Sequence, residues 1–394
     1  MDEKPFLPFH RPSIGTEEIQ AVERVLTSRW LTTGPVAHEF ERQFASFVGC
    51  KYALAVNSAT AALQLSMDCI DVRPGDEVLV PTYTFAATAA VVIHAGARPV
   101  FCDTVEDGFN VCLTDVERRI TSRTKAIVPV HIAGQPCDLE KIHALAAKYD
   151  LHVIEDAAHA LPTSYKGRRV GAISELTAFS FYATKTISTG EGGMLTTDNE
   201  EYAQRAIKMR LHGISGDAWK RYSREGSWFY EVECAGYKMN MCDILAALGC
   251  TQLTKCERFW ERRQAIAKFY SDNFVGVEGL QVPPPGQRDA GHSWHLYILR
   301  IWPESLGLNR NRFIEELSKR GIGTSVHFIP LHLHPFYAQK YGYRRGHFPN
   351  AEDAYLRCLS LPIFPDMTDE EVERVVDAVK EVVEQKPLRS MAVV

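Results

Sequence analysis

Between residues 50 and 200 the chain alternates short apolar runs with stretches of helical periodicity. The runs YALAV (52–56), EVLVP (77–81), ARPVF (97–101), TKAIVPV (124–130), LHVIE (151–155), LTAFSF (176–181) and GGMLTT (192–197) predict strands. Several are apolar at successive positions, the pattern of strands buried on both faces. Intervening segments such as ATAALQLSM (59–67) and DLEKIHALAAKY (138–149) predict helices. The expected class is α/β, a mostly parallel central sheet flanked by helices.

A different organisation follows the helical segment MCDILAALGCTQL (241–253). The proline- and glycine-rich VPPPGQRDAG (282–291) predicts a loop. After it come the segment WHLYILRIW (294–302), a helix RNRFIEELSKRG (310–321), a strand GTSVHFI (323–329) and a terminal helix. In that last helix Thr368 stands three residues before Glu371, a capping-box spacing, and Val372, Val375, Val376, Val379, Val382 and Val383 share one face. We divide the chain into a large domain, 1–254, which includes the N-terminal segment, and a smaller α+β domain, 255–394. The length of 394 residues suits two domains, because single cores stop growing near roughly 250–300 residues.

Composition narrows the partners more than the fold. The chain is 45% hydrophobic and 24% charged, like an ordinary globular protein, and its formal net charge of −5 provides no basic field for nucleic acid. An anionic ligand therefore needs local donors. The ten cysteines form no CxxC pair and no cluster with histidine at zinc spacing, so they are expected as buried thiols in a reducing compartment, with no metal site. The opening MDEKPFLPFHRPSIG has no signal-peptide layout and no apolar run approaches a membrane span, so a cytoplasmic protein without a membrane partner is expected.

Ligands of open α/β sheets gather beyond the carboxyl ends of the strands, which directs attention to the residues just after each run. Beyond YALAV lies NSATAAL (57–63), where small residues open a helix: either a plain Ser or Thr cap, or a set of N–H and hydroxyl donors for a phosphate. In IEDAAHA (154–160) Asp156 is either a cap or the holder of a cation, and three residues of helix would bring His159 to its side. SFYATKTISTGEGGM (180–194) carries Ser180 and Lys185 ahead of glycines, and Lys185 is either a surface ammonium or a carbonyl-trapping nucleophile. PTYTFAAT (81–88) places Tyr83 and Phe85 past a strand, either as core or as a platform for a planar ring. A phosphate anchor, a lysine amine, a carboxylate for a pyridinium nitrogen and stacking groups together describe the needs of pyridoxal phosphate.

On these motifs, with GDEVLVPTYTFAATA, TKAIVPVHIAGQPCDL, VIEDAAHALPTSYKGRRVG and GYKMNMCDILAALG, the chain resembles the DegT/DnrJ/EryC1/StrS family of sugar aminotransferases, fold type I pyridoxal-phosphate enzymes. The likeness runs from RPSIGTEEIQAVERVLTSRWLTTGP (11–35) to SLPIFPDMTDEEVERVV (360–376), and its pattern is most like members that aminate C4 of UDP-linked 4-keto sugars, such as those making 4-amino-4-deoxyarabinose. The resemblance implies that Lys185 is the Schiff-base lysine, that Asp156 pairs with the ring nitrogen, and that His159 and Phe85 lie on the two faces of the ring. It implies Ala59, Thr60 and Ser180 as phosphate contacts, and Asn240 as a contact to the cofactor of a neighbouring subunit, hence a homodimer. Many relatives carry that asparagine two places earlier, where this chain has Lys238. The sugar would lie near Trp30, Leu31, Thr32, Thr33 and His327. The implied reaction moves an amino group from L-glutamate, released as 2-oxoglutarate, to the keto carbon of a nucleotide-linked sugar for polysaccharide synthesis.

Two other readings keep the fold. In a sugar-deoxygenating dehydratase of the same scaffold the anchoring lysine is replaced by histidine, whereas this chain has Lys185. A non-catalytic regulatory protein would have lost the lysine, the aspartate or the hydroxyls of the phosphate site, and all are present. A nicotinamide enzyme and an ATPase are disfavoured because no GxGxxG or GxxxxGK[ST] follows a strand.

Overall fold

The computed structural model describes residues 5–214, 229–284 and 290–385. Residues 285–289 of the expected 282–291 loop, and the chain ends 1–4 and 386–394, lie outside the described residues. Six strands share one direction, β3 (Arg98–Cys102) among them; the other five are β1 (Tyr52–Val56), β2 (Glu77–Pro81), β4 (Thr124–Ile127), β5 (His152–Asp156) and β8 (Leu176–Ser180). With β9 (Gly193–Thr197) they form a seven-stranded sheet in the order β1-β9-β8-β5-β4-β2-β3. Only β9 runs antiparallel to its neighbours, so the carboxyl ends of β1, β2, β5 and β8 and the start of β9 meet at one edge. Short strands β6 (Ser164–Tyr165), β7 (Arg168–Arg169) and β11 (Ala290–Gly291) make a small separate sheet.

The strands lie within a residue or so of the expected runs, with one instructive exception at β4. Its ladder ends at Ile127 although the apolar run continues to Val130, because Pro129 has no N–H to donate. Its carbonyl still accepts from Asp156 N at 2.9 Å, which ties β5 to the segment beyond β4. The expected helices form at Ala59–Cys69 and Leu139–Tyr149, the second capped by Asp138.

A second core surrounds the three-stranded sheet β10 (Leu280–Gln281), β12 (Tyr297–Ile301) and β13 (Cys358–Leu361). Helix Asp369–Glu384 packs its valines there behind a full capping box, Glu371 N donating to Thr368 Oγ1 at 3.1 Å and Thr368 N to Glu371 Oε2 at 3.0 Å. Leu7, counted above with the larger domain, packs into this second core and exchanges backbone bonds of 2.8 Å with Gly321 and Gly323.

The strand expected over 323–329 does not form. Ser325 makes a single bridge to Ser360, and beyond it the backbone is held by side chains and by the end of β2. The His327 carbonyl accepts from the Tyr83 hydroxyl, and Leu331 N donates to Thr82 O at 2.7 Å. Within 323–329, Gly323 N, both backbone groups of Ser325 and the His327 carbonyl have such partners. Among the described residues no helix is long and apolar enough to cross a membrane.

Candidate active site

A cavity of about 540 Å³ opens at the edge where the central strands end. Its first wall is the start of helix Ala59–Cys69. Ser58 caps that helix, its Oγ accepting from Ala61 N at 3.1 Å, while Ala62 N reaches Ser58 O. The N–H groups of Ala59 and Thr60 precede the first helical bond and border the cavity, where an anion can accept from them. Gly193 makes this approach possible: a Cβ there would lie 2.5 Å from Ser58 C and 2.6 Å from Ala59 N. Ser180, at the end of β8, lines the same wall.

Lys185 projects from the loop between β8 and β9. The loop is closed by Lys185 N to Tyr182 O and Thr189 N to Phe181 O, both 2.9 Å. Burial pushes the Lys185 ammonium down to about 8, opposed by the attraction of Asp156. Deprotonation is thereby brought near neutral pH, as a nucleophilic amine requires. Of the glycines that follow, only Gly190 takes a left-handed conformation, φ 82°, while Gly192 and Gly193 are required by close packing.

Asp156 ends β5 and is buried. Its Oδ1 accepts from Ala158 N at 3.1 Å and its Oδ2 from Thr88 Oγ1 at 2.9 Å. Burial raises its carboxyl above the ordinary range, with Ala158 N–H, Thr88 and the charge of Lys185 opposing. A cation placed beside it would offset that desolvation.

His159 reaches the cavity by a different route from the helix expected. Residues 157–163 form successive turns, Ala160 N to Ala157 O at 2.9 Å and Thr163 N to Ala160 O at 2.8 Å, because Pro162 cannot continue a helix. The ring accepts from Ala133 N at Nδ1 (3.3 Å) and lies against His295, centroids 4.5 Å apart, and Phe328, 5.7 Å. Burial and the nearby Lys185 hold it far below the usual histidine range, hence neutral and able to lie flat on an apolar ring.

The two aromatics of PTYTFAAT separate. Tyr83 is core, its hydroxyl on the His327 carbonyl and 3.1 Å from Cys358 Sγ. Phe85 lines the cavity and is 63% exposed, an unusual cost for a phenyl ring unless something covers it. His327 also lines the cavity. Its Nδ1 is engaged by Ser360 Oγ at 2.9 Å, and burial, then Lys185, lowers it to about 4.

Thr32, Thr33 and Asn240 do not line the cavity of this chain. They gather beside it, Asn240 Nδ2 donating to Thr33 Oγ1 at 2.5 Å, Lys238 Nζ to Asn240 Oδ1 at 2.6 Å, and Asp243 N to Thr32 O at 3.1 Å. Sequence reasoning missed Thr84 and Thr88, although both stand in PTYTFAAT at the i, i+4 spacing that stacks side chains on a helix. It also missed Phe9, His295 and Phe328, which enter the cavity from remote segments and carry no local signal.

A lysine amine tuned downward, a buried carboxylate with no ion pair among the described residues, a helix N-terminus for a phosphate and flat apolar surfaces fit pyridoxal phosphate, on the scaffold of a fold type I enzyme. The chain belongs to the DegT/DnrJ/EryC1/StrS aminotransferase family, whose model matches residues 12–380. It is 50% identical over 379 residues to the spore coat polysaccharide biosynthesis protein SpsC of Bacillus subtilis, covering 96% of this chain and 97% of that protein. Among solved structures it is similar to Spr1654 of Streptococcus pneumoniae. The PMP-form of that protein has TM-score 0.91 and 35% identity, with coverage of 96% of this chain and 99% of that one; the PLP-form has TM-score 0.90. Helicobacter pylori PseC, an aminotransferase involved in the biosynthesis of pseudoaminic acid, has TM-score 0.89 and 30% identity over 97% of this chain and 100% of its own. Pyridoxal phosphate is the cofactor, and the protein is an aminotransferase of this family.

Proposed function

We propose that the protein transfers an amino group from L-glutamate to the keto carbon, C4, of a nucleotide-linked keto sugar, in amino-sugar synthesis for a surface polysaccharide. The single observation that carries the chemistry is the Lys185 amine, lowered to about 8 and sharing one cavity with Asp156 and the helix start at Ala59. The sugar is supported by the relatives: SpsC by its role in spore coat polysaccharide, PseC by pseudoaminic acid.

When bound, pyridoxal phosphate supplies an electron sink that lets a proton leave the carbon bearing the amine. The N–H groups of Ala59 and Thr60, with Ser180, would hold its phosphate. Asp156 would hold the ring nitrogen protonated, since an opposite charge at contact distance favours the charged form of both groups. His159 and Phe85 would pack against the bound group and shield it from water. Lys185, its ammonium lowered to about 8 so that the amine form is within reach near neutral pH, would take the proton from the donor's α-carbon and return one to the sugar carbon in the second half-reaction.

Asn240 of the partner subunit would complete the phosphate site in a homodimer, and Thr32, Thr33 and His327 would contact the sugar. The neutral His327, with its Nδ1 engaged by Ser360, offers its other ring nitrogen to a sugar hydroxyl. A cytoplasmic location and a division of the chain at 254/255 belong to the same reading, the latter supported by the separate core around β12 and β13.

Purified holoenzyme is expected to be yellow and to bleach on addition of L-glutamate, with ping-pong kinetics when a nucleotide keto sugar follows. Lys185→Ala should abolish turnover, and transamination retained by that variant would refute the assignment of the nucleophile. A panel of UDP-, GDP- and dTDP-linked 3-keto and 4-keto sugars tests the substrate. Turnover of the 3-keto compounds alone would overturn C4 as the aminated carbon.

A further inference from the structure

Asp156 is fastened by a chain of hydroxyls that reaches back to the cavity wall. Its Oδ2 accepts from Thr88 Oγ1 at 2.9 Å, and Thr88 Oγ1 lies 2.8 Å from Thr84 Oγ1. All three side chains are buried, with exposures of 5%, 0% and 1%. Thr84 lines the cavity and Thr88 stands in the first turn of helix Ala86–His94.

The direction of this chain follows from proton counting. An ionised carboxylate only accepts, so the single proton of the Thr88 hydroxyl must point to Asp156. Thr84 must then donate to Thr88, and it presents only lone pairs to the cavity. A threonine in a helix ordinarily turns its hydroxyl to the carbonyl four residues back. Thr88 spends it on the carboxylate instead.

The same count says what the arrangement does. Burial disfavours the charged carboxylate, and the charged groups facing Asp156 are Lys185, from the loop after β8, and His131, from the segment after β4. Beside them, the Thr88 hydroxyl and the Ala158 N–H are the neutral donors on the carboxylate. A second hydroxyl in series polarises the first and strengthens its bond.

We propose that Thr84 and Thr88 form a one-way hydroxyl relay that holds Asp156 as the oriented anion facing the cofactor's ring nitrogen, making both of them positioning residues for the transamination. The proposal rests on the reading of Asp156 given under Proposed function, and the test separates the two. Holoenzyme reconstituted with pyridoxal phosphate carrying nitrogen-15 in the ring reports the ring proton directly through its chemical shift.

In Thr88→Val the shift should move toward the unprotonated value, and the half-reaction with L-glutamate should slow by about tenfold, the scale of one lost bond to a charged group. The cofactor dissociation constant should stay within about threefold of wild type, because the phosphate anchor is untouched. Thr88→Ser should restore both shift and rate. Thr84→Val should move the shift in the same direction by a smaller amount. A wild-type shift in Thr88→Val overturns the proposal, as does a shift in Thr84→Val indistinguishable from wild type. The second outcome decides the matter if Thr88→Val does not fold. If Asp156→Asn itself leaves the shift unchanged, the reading of Asp156 fails; if it moves the shift and either threonine variant leaves it at the wild-type value, the relay alone fails.

Discussion

Gly193→Ala should damage the cofactor site without removing a single polar group, and the geometry says by how much. The added Cβ would lie 2.5 Å from Ser58 C and 2.6 Å from both Ser58 O and Ala59 N, where ordinary contact begins at 3.4 Å. All three atoms are backbone, so no rotamer change relieves the overlap. The helix start they belong to is pinned by Ala62 N to Ser58 O at 3.2 Å and, one residue earlier, by Asn57 N to Met239 O at 2.8 Å. The start of β9 and the start of the helix must therefore separate, at an overpacking cost of about 1–3 kcal/mol. The N–H groups of Ala59 and Thr60 move with the helix, and bonds to a charged phosphate are each worth about 1.5–3 kcal/mol. Even partial loss of both implies affinity for pyridoxal phosphate reduced by at least about tenfold, since that factor corresponds to about 1.4 kcal/mol. The assay is titration of cofactor-free protein with pyridoxal phosphate, followed by the absorbance of the bound form, beside a urea melt of the same protein. Gly190→Ala is the control. Gly190 has nothing within 4 Å of its would-be Cβ but a φ of 82°, so it should lose about 1 kcal/mol of stability to backbone strain and keep its cofactor affinity. Wild-type affinity in Gly193→Ala, or a greater loss of affinity in Gly190→Ala, would refute this account of the glycines.

Further outcomes follow from the same structure. Because Lys185 binds its proton less tightly when folded, about 8 against an ordinary 10.5, the unfolded chain holds more protons between those values. Stability of the cofactor-free protein should thus rise with pH across that window, by at most about 3 kcal/mol. Lys185→Met should remove the rise and be the more stable protein at pH 7; urea melts showing the same pH slope in both proteins would contradict the buried-amine picture. Thr368→Ala should cost about 1 kcal/mol through loss of the capping box of helix Asp369–Glu384, with catalytic constants unchanged. A kcat altered along with the melt would show that this helix acts on the site.

The family, the class of fold and most of the cavity wall were legible in the residues themselves. Strand runs buried on both faces, a capping residue before a helix and a lysine beside glycines are local patterns, and a parallel sheet brings whatever follows its strands to a common edge. Asp156, Lys185, Ser180, Ala59 and Thr60 needed no further information than that. The glycines after Lys185 were harder: a turn at Gly190 is a local property, whereas the demand on Gly193 comes from a helix some 130 positions away in the chain.

Long-range placement decided the rest. Tyr83 and Phe85 are two residues apart and look alike as sequence, yet one is core and the other is wall, because Cys358 and the His327 carbonyl close over only the first. The strand expected at 323–329 had the right composition and lost its ladder to partners just past β2 and on β13 that no local pattern announces. Phe9, His295 and Phe328 join the cavity solely through tertiary packing. Thr84 and Thr88 fall between the two cases: their spacing was visible, but the carboxylate that gives it meaning arrives from another strand. A sequence determines which groups its strands and helices carry to the sheet edge; side-chain burial, and with it the proton affinity of Lys185 and Asp156, depends on every segment that packs there and exists only in the folded chain.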